Sequence, residues 1–127
     1  MLETAQKVIV IDDDAAFAYF VASIIHCSEY HGVVATDGAE GIRLARTLSP
    51  ALIFCDLSMP GLGGVEVLRI LQNDPITTDV PRILMSGFGC PDLRAIPADA
   101  FIAKPIDTQS LRRLVRAFTR PRALRAE

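Results

Sequence analysis

The chain has 127 residues, of which 50% are hydrophobic and 22% are charged, and its formal net charge is −2. A chain of this length can bury the core of one domain without disulfide or metal cross-links, and it is too short for two ordinary domains. The charge argues against a nucleic-acid partner, because binding to a phosphate backbone requires a dense basic surface.

The cysteines Cys27, Cys55 and Cys90 are odd in number, widely spaced and free of any Cys-x-x-Cys pattern. They indicate neither a disulfide framework nor a zinc site, so we expect reduced thiols and a cytoplasmic location. His26 and His31 lie near Cys27 but lack a second pair at ligand spacing, which favours ordinary packing and surface roles. No N-terminal stretch resembles a signal peptide and no apolar run could span a bilayer, so we expect no membrane partner.

The first elements are a strand and a helix. Residues 7–11 are an apolar, β-branched run that stops at three aspartates, which predicts a buried strand. The next segment predicts a helix, because its apolar residues recur at helical spacing, and Asp14 is placed to cap it or to interact with its dipole. The residues of this apolar stripe are Phe17, Phe20, Val21, Ile24 and Ile25.

The same alternation repeats to the end of the chain. Further strands are predicted at residues 33–36, 51–55, 82–86 and 100–103. Helices are predicted at residues 39–48 and 65–72, a loop at 59–64, and a last helix on the stripe of Leu111, Leu114, Val115 and Phe118. Strands that alternate with amphipathic helices predict a mostly parallel sheet covered on both faces.

Arginines concentrate near the C-terminus, where no acidic residue interrupts them until the last position. We interpret them as a solvated helix face and a basic tail over residues 119–127. They are Arg112, Arg113, Arg116, Arg120, Arg122 and Arg125.

Polar side chains follow four of the predicted strands. Asp12 and Asp13 end the first strand, Asp56 the third, Ser86 the fourth and Lys104 the fifth. In an open parallel sheet, ligands bind outside the carboxyl ends of the strands. The sequence therefore predicts a site with three carboxylates, a hydroxyl and an ammonium. Each group alone would be an ordinary cap, turn or loop residue, but their ordered coincidence favours a site.

These groups suit phosphoryl transfer, where catalysis is mainly positioning and neutralisation of charge on the phosphoryl oxygens. Three neighbouring carboxylates should raise a pKa or hold a cation, and Mg²⁺ is the natural occupant because it takes hard oxygen ligands. Asp56 would be the nucleophile that forms an acyl phosphate. Lys104 would place a positive charge at one phosphoryl oxygen, and Ser86 would donate a hydrogen bond to another.

At these residues the chain resembles the response-regulator receiver family, over about residues 7–118. The resemblance implies a CheY-like, flavodoxin-type α/β fold, a doubly wound five-stranded parallel sheet in the order 2-1-3-4-5 with helices on both faces. We therefore expect a single receiver domain over residues 1–127. The matching motifs are Val-Ile-Asp12-Asp13-Asp14, Cys55-Asp56-Leu-Ser-Met-Pro60-Gly61, Leu84-Met-Ser86-Gly87 and Phe101-Ile-Ala-Lys104-Pro105.

The resemblance also implies roles at the site. Asp56 would be the phosphorylated residue, and Asp13, Asp56 and the backbone carbonyl of Ser58 would bind Mg²⁺ directly, with Asp12 acting through a metal-bound water. A shift of one residue, to Asp13 and Asp14, is the alternative register. Donors would be a histidine kinase or a histidine phosphotransfer protein, and an output protein of unknown identity would read the result. The domain would be no enzyme beyond its own phosphorylation and dephosphorylation.

By the same resemblance, Ser86 and Phe101 would form a switch pair, and the Lys104–Pro105 bond would be cis. The output surface would comprise the fourth helix, the fifth strand and the fifth helix. Ser58 and Phe88 would occupy positions that tune hydrolysis of the phosphoryl group.

Two features depart from the family pattern. Gly63-Gly64 stands where the family often has Asp-Gly, which should affect only loop detail. The stretch from Ser86 to Lys104 is about one helical turn shorter than the family norm and contains Pro91 and Pro97, which are poorly tolerated inside a helix. We therefore expect the fourth helix to be short, displaced or absent.

The sequence leaves open the origin of the chain and two alternative functions. The chain is either a stand-alone regulator, as Met1 favours, or a receiver excised from a larger regulator such as the C-terminal receiver of a hybrid histidine kinase. A magnesium-dependent phosphatase with an aspartyl nucleophile is less favoured, because such enzymes place a second acid where this chain has Ser58. An interaction module without phosphorylation is disfavoured by the intact acidic set.

Overall fold

The computed structural model describes residues 5–119. Within them the strands form one parallel sheet of five strands in the order β2-β1-β3-β4-β5, which confirms the predicted fold class. The predicted tail beyond Thr119, with Arg120, Arg122 and Arg125, lies outside the described residues. The elements are β1 (Gln6–Ile11), α1 (Ala15–Ile25), β2 (Tyr30–Ala35), α2 (Gly38–Leu48), β3 (Leu52–Asp56), α3 (Gly64–Asn73), β4 (Arg82–Ser86), β5 (Ala100–Ala103) and α4 (Thr108–Thr119).

The central strands are buried on both sides, because their side chains alternate between two apolar clusters. Val8 and Val10 of β1 belong to the cluster under α1 and α4, whereas Ile9 and Ile11 belong to the cluster under α2 and α3. This two-residue period is the geometry of a β-strand, and burial of both faces explains why these strands are nearly continuous apolar runs. The resulting sheet supports the loops at its carboxyl edge.

Aspartate side chains cap the N-termini of two helices that follow strands closely. The side chain of Asp14 accepts a hydrogen bond from the backbone N–H of Phe17 at 3.1 Å, so its predicted role as the cap of α1 is confirmed. Asp37 caps α2 by accepting from the N–H of Glu40 at 2.8 Å. Such caps fix the direction in which each helix leaves the carboxyl edge of the sheet.

Strand β2 begins three residues earlier than its apolar run predicts. Its first residues, Tyr30 to Gly32, pair with residues 6–8 of β1 but lack the apolar pattern of a buried strand. A Cβ atom at Gly32 would lie 2.7 Å from the carbonyl oxygen of Ala22, so glycine allows α1 to pack directly against the strand.

Residues 87–99, between β4 and β5, contain turns and no helix. The expectation of an altered fourth helix is therefore confirmed in its strongest form, and the helix after β5 is α4. The buried guanidinium of Arg82 donates to the carbonyl oxygen of Pro97 at 3.0 Å, and Arg69 of α3 donates to that of Ala95 at 3.1 Å. Apolar side chains of this segment pack against the α2 and α3 side of the sheet: Leu93, Ile96 and Ala98.

One further prediction concerns a single peptide bond and is confirmed. The Lys104–Pro105 peptide bond is cis. None of the helices within residues 5–119 combines the length and the apolar character that a membrane span requires.

Candidate functional site

The predicted site residues meet at the carboxyl edge of the sheet. Asp12 directly follows β1, Asp56 ends β3, Ser86 ends β4 and Lys104 directly follows β5. All of them line one open cleft of about 310 Å³. The remaining residues of its lining are Asp13, Asp14, Ser58, Gly87 and Phe88.

Three carboxylates form a cluster in this cleft. One oxygen from each of Asp12, Asp13 and Asp56 lies within 4.8 Å of the others. Asp12 and Asp56 are buried, with 1% and 6% of their surface exposed, whereas Asp13 is exposed. Asp14 is engaged as the cap of α1, and its backbone N–H donates to Oδ1 of Asp12 at 2.9 Å. Oxygen ligands at this spacing, part buried and part open to water, fit a hard divalent cation such as Mg²⁺.

Lys104 reaches into the same cluster from the end of β5. Its Nζ lies 2.9 Å from Oδ2 of Asp12 and 2.8 Å from Oδ1 of Asp56. The backbone N–H of Lys104 donates to the carbonyl oxygen of Ser86 at 2.9 Å, which fixes the base of the side chain on β4. The ammonium also lies over the ring of Phe17, 4.4 Å from its centroid.

Burial and neighbouring charges shift the pKa values of Asp56 and Lys104. Burial raises the pKa of Asp56, the charges of Asp12 and Asp13 raise it further, and the hydrogen bond from Lys104 opposes them without cancelling them. For Lys104, burial lowers the pKa, but the hydrogen bonds to Asp12 and Asp56 and their negative charges together outweigh it, so the pKa is raised. Lys104 therefore remains positively charged beside the carboxylates in the open cleft.

Ser86 and Phe101 occupy different surroundings. Ser86 is buried, and its Oγ accepts a hydrogen bond from the backbone N–H of Phe88 at 3.0 Å. Phe88 itself is 87% exposed at the rim of the cleft. Phe101 is partly buried on β5 and packs against the cluster under α2 and α3. Ser86 thus lies in the cleft, while Phe101 lies in the adjoining apolar layer that also holds residues of the 87–99 segment.

Two contributors escape a reading of the sequence alone. Phe17 has the spacing of an ordinary core residue of α1, yet its ring lies beneath the Lys104 ammonium. Gly64 begins α3 where a Cβ atom would lie 2.2 Å from the backbone oxygen of Asp56, so glycine lets the helix start against the site. At Gly63 the nearest atom to an added Cβ is Oε1 of Glu66 at 3.0 Å, which is consistent with an effect on loop detail alone.

The chain matches the family described as response regulator receiver domain over residues 8–116. It therefore belongs to the response-regulator receiver family of two-component signalling, whose members are as a rule signalling modules rather than enzymes. Its acidic pocket of Asp12, Asp13 and Asp56 is of the type that holds Mg²⁺ in receivers.

Individual relatives agree with this assignment. The chain is 31% identical over 118 residues to the DNA-binding dual master transcriptional regulator RpaA of Synechocystis sp., covering 90% of this chain and 49% of that protein. It is 32% identical over 123 residues to the DNA-binding response regulator MtrA of Mycolicibacterium paratuberculosis, covering 88% of this chain and 50% of that protein. The chain thus spans about half the length of the curated relatives it matches.

Solved structures show the same fold. The receiver domain of the Francisella response regulator 1452 superposes with a TM-score of 0.79 at 28% identity, covering 90% of this chain and 96% of that one. The Vibrio cholerae chemotaxis protein CheY4 gives a TM-score of 0.82 at 20% identity, covering 90% and 98%. The second likeness concerns the fold alone.

Proposed function

We propose that this receiver domain accepts a phosphoryl group on Asp56 from a histidine kinase or a histidine phosphotransfer protein, and that the modification alters a surface read by an output protein. One observation carries the proposal: a buried carboxylate, Asp56, lies 2.8 Å from the Lys104 ammonium and within 4.8 Å of two further carboxylates in an open cleft. This is the arrangement that an acceptor of an anionic group requires.

In the reaction, one carboxylate oxygen of Asp56 attacks phosphorus. The new bond joins that oxygen to phosphorus, the bond from phosphorus to the donor nitrogen breaks, and the donor imidazole retains the electron pair. Lys104 exchanges its contact with the carboxylate for one with a phosphoryl oxygen. Water later attacks phosphorus, which releases inorganic phosphate and restores the Asp56 carboxylate.

The residues that would hold Mg²⁺ are Asp13, Asp56 and the backbone carbonyl of Ser58, with Asp12 interacting through a water molecule. A bound divalent cation would neutralise negative charge on the carboxylates and on the phosphoryl oxygens. Lys104 contributes further positive charge to the cleft, since it contacts Asp12 and Asp56 directly.

Ser86 and Phe101 would convert the modification into a change of surface. If the Ser86 side chain rotates so that its hydroxyl reaches and donates to a phosphoryl oxygen, Oγ moves away from the backbone N–H of Phe88, from which it now accepts a hydrogen bond at 3.0 Å. That bond fixes the first residues of the 87–99 segment, which has no helix of its own to stabilise it. Phe101 packs against the same apolar cluster as Leu93 and Ile96 of this segment, so inward rotation of its ring would repack that cluster.

We further propose that residues 1–127 contain one receiver domain and that its partners are proteins rather than DNA. The net charge of −2 supports protein partners, because a DNA-contacting surface would require an excess of basic residues. RpaA and MtrA are described as DNA-binding, but the chain covers only about half of each.

Intact-mass measurement after treatment with a small phosphoryl donor and Mg²⁺ tests the proposal. We expect the wild type to gain the mass of one phosphoryl group, and Asp56→Asn to gain none. Asp79→Asn, at an exposed position away from the cleft, is the matched control and should be modified like the wild type. An adduct of equal extent on Asp56→Asn would remove Asp56 from its role. Sustained turnover of phosphomonoesters would instead favour the phosphatase alternative.

A further inference from the structure

We propose that Phe17 is a positioning residue for Lys104: its ring holds the ammonium in the cleft by a cation–π contact while the phosphoryl group is transferred. The proposal rests on the function proposed above, and it adds a residue of α1 to those that act in the cleft at the carboxyl edge of the sheet. Phe17 contributes no polar atom, so nothing in its chemistry alone suggests such a role.

The geometry supports an electrostatic contact rather than simple proximity. Nζ of Lys104 lies over the ring, 4.4 Å from its centroid, well within the range of about 6 Å over which a cation and an aromatic face attract. The ammonium has three N–H groups, and Asp12 and Asp56 account for two of them. The negative face of the Phe17 ring attracts the part of the ammonium that faces neither carboxylate.

The ring is itself held in place from two sides. Phe17 packs against the apolar cluster under α1 and α4, and its backbone N–H is fixed by the cap residue Asp14 at 3.1 Å. The Lys104 backbone is fixed to Ser86, but four methylene groups separate it from the ammonium. The Lys104 side chain is still 25% exposed, so without the ring the ammonium could move toward solvent.

The contact matters because the polar partners of Lys104 change during the reaction. When Asp56 forms its bond to phosphorus, it ceases to be the carboxylate partner that Lys104 contacts at 2.8 Å. Phe17 is not consumed and carries no charge that would compete with the incoming phosphoryl oxygens. Its contact therefore persists while the ammonium changes partners, and this limits the conformational freedom lost on reaching the transition state.

A series of fluorinated phenylalanines at position 17 tests the proposal. Fluorine withdraws electron density from the ring face and changes the ring volume little, so a cation–π contact weakens in steps while the packing is retained. We expect the rate of Asp56 phosphorylation by phosphoramidate with Mg²⁺ to fall with each added fluorine. Phe17→Leu should lose about three- to tenfold in rate, as expected for a partly exposed cation–π contact.

A double-mutant cycle separates positioning from a general effect on folding. If the ring acts through the ammonium, Phe17→Leu should have almost no further effect on the rate in a Lys104→Ala background. Phe20→Leu, on the exposed face of the same helix, is the matched control and should phosphorylate at the wild-type rate. Unfolding midpoints of all variants verify that each is folded under the assay conditions.

The possible outcomes are distinct. If the wild type is phosphorylated on Asp56 but the fluorinated series shows one constant rate, the role of Phe17 is wrong and the proposed function stands. An equal loss for Phe17→Leu with and without Lys104 also overturns the role. If Asp56 in the wild type is not phosphorylated at all, both proposals fall together.

Discussion

Lys104 and Asp56 meet across the end of β4: the ammonium lies 2.8 Å from Oδ1 of the carboxylate, although β3, which ends at Asp56, and β5, which Lys104 follows, do not pair. The strand between them, β4, ends at Ser86, one position beyond Met85, which is the register partner of Asp56. Two opposing influences act on Asp56 there. Burial and nearby carboxylates raise its pKa, while the hydrogen bond from Lys104 lowers it, and the first influence prevails.

Asp56→Asn is expected to stabilise the metal-free protein. The pKa of Asp56 is raised in the folded state, so the wild type loses stability as the pH rises through that pKa. The Asp56→Asn protein does not lose this stability, because asparagine does not ionise. We expect a gain of about 1 kcal/mol in the free energy of unfolding near neutral pH, the size of a typical single-site effect. Urea unfolding in the presence of a chelator measures it. The difference between the two proteins should shrink as pH is lowered below the raised pKa, and a difference independent of pH would contradict this cause.

Magnesium should reverse that order, because it binds the folded carboxylates and not the unfolded chain. At a free Mg²⁺ concentration about 100 times Kd, the wild type should gain about 2.7 kcal/mol, and Asp56→Asn should gain much less.

The register of the acidic residues can be tested by the same stabilisation by Mg²⁺, with two variants of equal charge. Asp13→Asn should lose most of the effect, whereas Asp14→Asn should keep it, since asparagine caps a helix as well as aspartate does. Loss of the effect in Asp14→Asn alone would favour the shifted register.

The carboxyl-edge site could be predicted from the sequence because its residues follow strands whose apolar runs are unmistakable. Asp12, Asp56, Ser86 and Lys104 each stand at such a boundary, and parallel strands must bring these boundaries to one edge. The first half of β2 was not predictable in this way, because Tyr30 to Gly32 form no apolar run, and Gly32 is needed for close contact with Ala22 of α1.

Phe17 and the 87–99 segment mark a different limit. Helical spacing assigns Phe17 correctly to the inner side of α1, but which residue lies above its ring depends on how β5 ends. Pro91 and Pro97 indicate that a regular helix is disfavoured, but they cannot show what replaces it. The replacement depends on tertiary hydrogen bonds from Arg82 and Arg69, which join residues 15 and 26 positions apart.

Cys55 should resist alkylation in the folded protein. It is fully buried in β3, and burial, with smaller contributions from the charges of Asp56 and Asp12, raises the pKa of its thiol well above the usual range. Cys27 and Cys90 are exposed. Iodoacetamide at about pH 8, near the ordinary thiol pKa, should add two groups to the native chain and a third only after denaturation, as read by intact mass. Rapid addition of three groups to the native protein would contradict the burial of Cys55.

Arg82→Met should destabilise the protein by about 2 kcal/mol, because it leaves carbonyl groups without their charged donor. The guanidinium donates to the carbonyl oxygens of Pro97, Thr78 and Val80 from a position only 7% exposed. Arg94→Met is the matched control, since Arg94 pairs with Asp92 at the surface, and it should change stability by less than about 0.5 kcal/mol. Urea unfolding measures both, and equal effects would show that Arg82 does not anchor the 87–99 segment.

Phosphorylation should release the backbone N–H of Phe88, and this amide offers a direct view of the proposed switch. In the unmodified protein the N–H donates to Oγ of Ser86 at 3.0 Å, while the Phe88 side chain is 87% exposed and gives little steric protection. Amide exchange of Phe88, followed by NMR, should therefore be slow before modification and markedly faster after it, because rotation of the Ser86 side chain toward the phosphoryl group moves Oγ away from the N–H. In Ser86→Ala the amide should exchange rapidly in both states. Unchanged protection of Phe88 after full phosphorylation of Asp56 would show that Ser86 keeps its present partner and that another residue transmits the signal.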